Sequence, residues 1–138
     1  MRYLIIVLSA LALTACGSEA IRLSKPGGET VATGALKFRL NPPHQLTVVL
    51  DGKTYEGDVD SKEVENSAEL RKRFGANSKR YQAILSGLNH ASYHIHHYQG
   101  ILKAQSGSTL TCEFLSSDDG GKLGECEDGK GQTYEISR

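Results

Sequence analysis

Apolar and polar residues alternate along this chain in short runs, and the runs are broken by stretches rich in glycine, proline and aspartate. That is the period of half-buried strands, not of helices. Residues 35–40 (ALKFRL) alternate as a strand, and Asn41-Pro42-Pro43 stops it. Residues 45–50 (QLTVVL) and 53–57 (KTYEG) flank Asp51-Gly52, a dipeptide suited to a type I′ hairpin turn. Residues 80–86 (RYQAILS) place Tyr81, Ala83 and Leu85 on one face. A further strand is predicted over 98–105 (YQGILKAQ). Ser106-Gly107 turns it into a segment in which Leu110, Cys112 and Phe114 share a face. Residues 122–127 and 133–137 complete a meander through Asp128-Gly129-Lys130-Gly131. A short echo, Tyr55-x-Gly57 and Tyr98-x-Gly100, is too brief to establish a repeat.

Two stretches break the pattern. Ser61 followed by Lys62-Glu63-Val64 has the character of a helix cap, and residues 66–74 (NSAELRKRF) suit a short helix ended by Gly75. Leu70 and Phe74, four residues apart, would dock it on a sheet. Residues 17–30 (GSEAIRLSKPGGET) are polar and contain Pro26-Gly27-Gly28, so they read as a flexible tether. Fully extended, such a tether spans about 46–50 Å. Seven or eight short strands and one short helix make a mainly β protein. The expected fold is a small antiparallel sandwich or barrel-like meander.

The amino terminus departs from all of this. Arg2 is followed by an apolar run over residues 3–13, too short to cross a hydrocarbon core that needs about 20 residues. A positive start, an apolar run of this length and small residues after it describe a secretory signal. It ends in Leu13-Thr14-Ala15-Cys16, which resembles the lipobox of bacterial lipoproteins. The resemblance covers residues 1–16. It implies diacylation of the Cys16 sulfur, cleavage before Cys16, and acylation of the new amino terminus. In that family an aspartate directly after the cysteine marks inner-membrane retention. Gly17 stands there instead, so for a Gram-negative source the resemblance implies the outer membrane, with the protein facing the periplasm. The chain thus divides into a signal peptide (1–15), a lipidated cysteine with its tether (16–30), and one β-rich domain (31–138).

Composition adds constraints on the mature part. Of the 138 residues, 123 remain after cleavage, with 15 Lys and Arg against 16 Asp and Glu. A near-neutral domain offers no global charge for nucleic acid, which is excluded as an expected partner. Two cysteines remain besides Cys16. In an oxidising compartment Cys112 and Cys126 are expected to pair. If they face each other on a hairpin, its turn centres at residue 119, within Asp118-Asp119-Gly120-Gly121. The pattern Leu110-x-Cys112-x-Phe114 followed by Gly124-x-Cys126-x-Asp128-x-x-Gly131-x-x-Tyr134 resembles small uncharacterised bacterial lipoproteins, and that resemblance implies no activity.

Candidate chemistry is concentrated in His90-Ala-Ser-Tyr-His94-Ile-His96-His97-Tyr98, which holds four of the five histidines. On a strand, His94 and His96 face one side while His97 faces the other; on a helix, His90, His94 and His97 would share a face. A Zn²⁺ or Cu²⁺ site needs three or four ligands. His94 and His96, with His90 or His44, are therefore the candidate metal set. An exposed segment or a pH-sensitive surface are the rival readings. Arg71-Lys72-Arg73 with Lys79-Arg80 is the densest charge run. It suits contact with an anionic surface such as lipopolysaccharide or cell wall, or simply the solvated face of a helix. There is no phosphate-cradling GxxxxGK[ST] loop, HExxH, GxSxG or CxxC. The primary expectation is a lipid-anchored envelope protein with a non-catalytic structural or interaction role and no cofactor. Its partners would be the membrane, through the anchor, and other envelope proteins or wall components. The alternatives are a Zn²⁺- or Cu²⁺-binding lipoprotein and an envelope hydrolase.

Overall fold

A computed structural model describes residues 17–64, 95–117 and 122–137. Eight strands follow one another in these residues: β1 Ser18–Ser24, β2 Thr30–Lys37, β3 His44–Leu50, β4 Lys53–Val64, β5 Ile95–Lys103, β6 Thr109–Ser117, β7 Lys122–Asp128 and β8 Thr133–Ser137. Each pairs antiparallel with the next, and β8 returns to β1, so the sheet closes into a barrel. The expected mainly β, antiparallel, barrel-like meander is what the chain forms. Closure removes the free edges that an open sheet of this size would expose.

Strand alternation divides inside from outside. Ile21, Leu23, Leu36, Leu46, Val48, Val59, Leu102, Leu110, Phe114 and Ile136 all point inward with essentially no exposure. Eight strands enclose an interior just wide enough for side chains to fill, so this is a packed core and not a channel. The outward positions of β4 are polar: Thr54, Glu56, Asp58, Asp60 and Lys62. Elsewhere on the outer face Val31, Val49 and Ile101 are exposed, and Leu115 and Leu123 are direct partners that are buried there.

Two predicted hairpins have the predicted geometry. Leu50 pairs with Lys53 across Asp51-Gly52, and both turn residues have positive φ, 51° and 72°, as a type I′ turn requires. Cys112 and Cys126 are direct partners across β6 and β7. They form a disulfide with a Cα–Cα distance of 4.0 Å, and neither is exposed. Closing a loop of about 15 residues this way stabilises the fold by roughly 3 kcal/mol in the chain-entropy view. The register continues to Ser116 opposite Lys122; the predicted turn at 118–121 lies outside the described residues.

Three expectations need correction or relocation. The supposed tether is mostly strand: Ser18–Ser24 pairs with β2 on one side and β8 on the other. Its two apolar residues, Ile21 and Leu23, sit two apart and fill the core. The predicted helix cap at Ser61–Val64 is the end of β4, where Ser61, Lys62 and Glu63 pair with Tyr98, His97 and His96. Strand pairing here overrides the local capping signal. The strand predicted over 35–40 runs from Thr30 to Lys37 instead, because β1 pairs with it from Thr30 onward. The helix expected over 66–74 and the strand over 80–86 lie outside the described residues.

The Tyr-x-Gly echo has a physical basis. Gly57 on β4 and Gly100 on β5 both face inward on adjacent strands, one step apart in register, Val59 lying opposite Gly100. A Cβ on Gly57 would fall against the Ile101 carbonyl oxygen, and one on Gly100 against the Asp58 carbonyl oxygen. The two strands approach closely at this reciprocal pair, a use of glycine expected where a small barrel bends sharply. Gly100→Ala is therefore expected to lower stability by about 1–3 kcal/mol. Gly129→Ala, whose Cβ would lie 3.9 Å from the Thr109 hydroxyl, serves as the near-neutral control. Urea unfolding of both variants checks this; equal midpoints would disprove the close-approach account.

Candidate functional site

The up-and-down path gives the barrel two unlike ends. At the far end, β1–β2, β3–β4, β5–β6 and β7–β8 are joined by short turns at Pro26-Gly27-Gly28, Asp51-Gly52, Ser106-Gly107 and Gly129-Lys130-Gly131. The near end holds the start of β1, the connection over residues 38–43, and the ends of β4, β6 and β8 with the starts of β3, β5 and β7. This near end opens into a basin of about 410 Å³, lined among others by Phe38, Pro42, His44, His96, Tyr98 and Glu19.

Each side chain is there for a local reason. His44 begins β3 and lies in line with the inward residues Leu46, Val48 and Leu50. His96 and Tyr98 alternate inward on β5. Tyr98 stacks on Phe114 of β6 with ring centroids 5.0 Å apart and planes 16° from parallel. His44 lies 6.0 Å and His96 6.3 Å from the same tyrosine ring. Phe38 meets His44 edge-on at 5.4 Å. A chain of rings thus runs from the barrel core to its rim, and both imidazoles flank its middle member.

The pKa of His44 is lowered from its ordinary value. Partial burial, then the nearby His96, then Arg39, lower its pKa below 6.5. Its Nδ1 also accepts the backbone N–H of Arg39 at 3.1 Å, a bond that protonation at Nδ1 would end. The Arg39 guanidinium itself pairs with Asp58 at 3.0 Å on the exposed rim, a contact of little energetic weight.

The deepest charge sits at the barrel seam. Among the described residues β8 pairs with β1 at Arg22–Ser24. Nearer the rim, Glu19 on β1 and Lys122 on β7 both point inward, and Lys122 Nζ lies 2.6 Å from Glu19 Oε2. The lysine side chain is 1% exposed and the glutamate 37%. The ion pair joins β7 to β1.

Of the four clustered histidines, His96 and His97 are among the described residues. His96 enters the basin with His44. His97 faces the outer wall, 4% exposed, with Nε2 2.8 Å from Glu113 Oε1 of β6. His90 and His94 lie outside the described residues. Among the described residues no three His, Cys, Asp or Glu side chains converge to hold a metal ion. Arg71, Lys72, Arg73, Lys79 and Arg80 also lie outside the described residues; Val64 and Ile95, which bracket them in sequence, are both at the near end. Sequence reasoning missed Glu19, Lys122 and Phe38. Glu19 was hidden in the presumed tether, and Lys122 opens a strand where lysines are usually solvated. No family model, curated protein or solved structure matches this chain.

The geometry has consequences for stability at two places. The folded-state pKa of His44 is below its unfolded value, so as pH falls the unfolded chain takes up the proton first. Stability from this residue is present above pH 6.5 and is lost as pH drops below it. His44→Gln should flatten the fall in unfolding free energy between neutral and mildly acidic pH; an unchanged slope would clear His44 of the effect. At the seam, Glu19→Gln strands a buried ammonium and should cost about 3 kcal/mol. Lys122→Met leaves only a half-solvated carboxylate and should cost clearly less. Chemical denaturation at pH 7 compares them, and the reverse order would contradict the assigned burial.

Proposed function

We propose that this chain is a lipid-anchored cell-envelope protein whose barrel serves a non-catalytic binding or interaction role, facing the periplasm from the outer membrane. One observation carries the reading. The core disulfide uses both cysteines of the barrel, and the remaining Cys16 stands at the end of the lipobox-like Leu13-Thr14-Ala15-Cys16, two residues before β1. A fully buried disulfide fits folding in an oxidising compartment, and a third cysteine set apart at such a position fits acylation. The open basin fits binding: rings supply apolar contact, while His96 and His44 supply polar edges. Other envelope proteins or wall components are the partners in view.

Cys16→Ala tests the anchor. The variant should lose its acyl chains by mass spectrometry and move from the membrane to the soluble periplasmic fraction. Membrane partitioning unchanged from wild type would refute it.

A second reading, Zn²⁺ or Cu²⁺ binding, is supported by one observation: His44 and His96, two of the candidate ligands, lie near the same tyrosine ring. These supply two nitrogen donors, and a complete site needs at least a third ligand. Calorimetric titration of the protein with each metal should then show binding that His44→Ala with His96→Ala weakens. Binding no tighter than millimolar, or indifferent to both substitutions, removes this reading.

A further inference from the structure

We infer that the near end of the barrel seats directly on the lipid bilayer, with Leu40 entering the interface and the four tight hairpins pointing away. This rests on the proposed acylation of Cys16, and it goes further by fixing which face of the protein meets lipid.

The first ground is covalent. One residue, Gly17, separates Cys16 from β1. Gly17 is itself tied down, since its carbonyl oxygen accepts the Phe38 N–H at 3.0 Å. Consecutive Cα atoms are about 3.8 Å apart, so an acylated Cys16 has no slack to lift the barrel from the headgroups. A free tether of fourteen residues would have left every orientation open; a strand beginning at Ser18 does not.

The second ground is the surface at that end. Leu40, in the connection after β2, is 98% exposed, far more than any other large hydrophobic residue among those described. It follows Arg39 and precedes Asn41-Pro42-Pro43, on the same end of the barrel as Gly17. An apolar side chain beside a cation is the pairing that an anionic headgroup layer accepts. The basin with His44, His96 and Tyr98 then opens toward the headgroups.

The chain contains no tryptophan, so a single one reports its own depth. Leu40→Trp and Lys130→Trp place it at the near and far ends on exposed positions. Each full-length protein is produced with its acyl chains, which mass spectrometry verifies at Cys16. It is then reconstituted into phosphatidylethanolamine–phosphatidylglycerol vesicles with brominated acyl chains. Emission from Leu40→Trp should shift to the blue and lose most of its intensity, while Lys130→Trp should keep the spectrum of an exposed indole. Acylated Leu40→Trp protein whose indole stays unquenched, or both variants quenched alike, overturns the orientation and leaves the anchor standing. That outcome also covers a near end occupied by another protein. Absence of acylation at Cys16 overturns anchor and orientation together.

Discussion

Barrel closure is the constraint on which the remaining structure depends. Among the described residues β1 meets β8 through three pairs, Arg22 with Ser137, Leu23 with Ile136 and Ser24 with Glu135. Those pairs decide that Ile21 and Leu23 face a common interior with Phe114 and Leu102. A one-residue slip in β1 would turn Ile21 and Leu23 outward and bring Arg22 in. The same closure makes the amino-terminal segment part of the domain. Without it, the residues after Cys16 would be the loose linker that their composition suggests.

Toward the near end, beyond the described β1–β8 pairs, the Glu19–Lys122 ion pair links β1 to β7. Across the rim, Phe38, His44 and Tyr98 line the basin. The interior below is apolar and full, so the polar groups that the fold admits inward are collected at this one end.

Legibility in the sequence varied with how local the deciding interaction is. The Asp51-Gly52 hairpin and the register of Cys112 with Cys126 could be read because turn chemistry and strand alternation determine them over a dozen residues. β1 could not: only Ile21 and Leu23 mark its inner face, Glu19 occupies the third inward position, and a Pro-Gly-Gly turn beside it imitates a linker. Ser61 carries a good capping signal, and only pairing with the distant His96–Tyr98 segment makes it strand. For the candidate site, alternation foretold that His96 and His97 diverge. That His44 would meet His96 was one option among two, and choosing it required knowing that β3, β4 and β5 are consecutive staves of one wall. Glu113 as the neighbour of His97 was invisible for the same reason.

The two tyrosine–glycine pairs show how a barrel so small can carry a basin at all. Gly57 and Gly100 let β4 and β5 approach backbone to backbone below the rim, which tightens the wall there. Tyr55 and Tyr98, each two residues before its glycine, lie toward opposite ends because the strands are antiparallel. Tyr55 is therefore directed to the far half and is buried among the aliphatic core residues there. Tyr98 is directed to the near half, where it stacks on Phe114 and faces the two histidines. The same three-residue unit thus closes one end of the barrel and furnishes the other, and strand direction alone decides which. On this fold a basin forms at the rim where an inward aromatic reaches the near end.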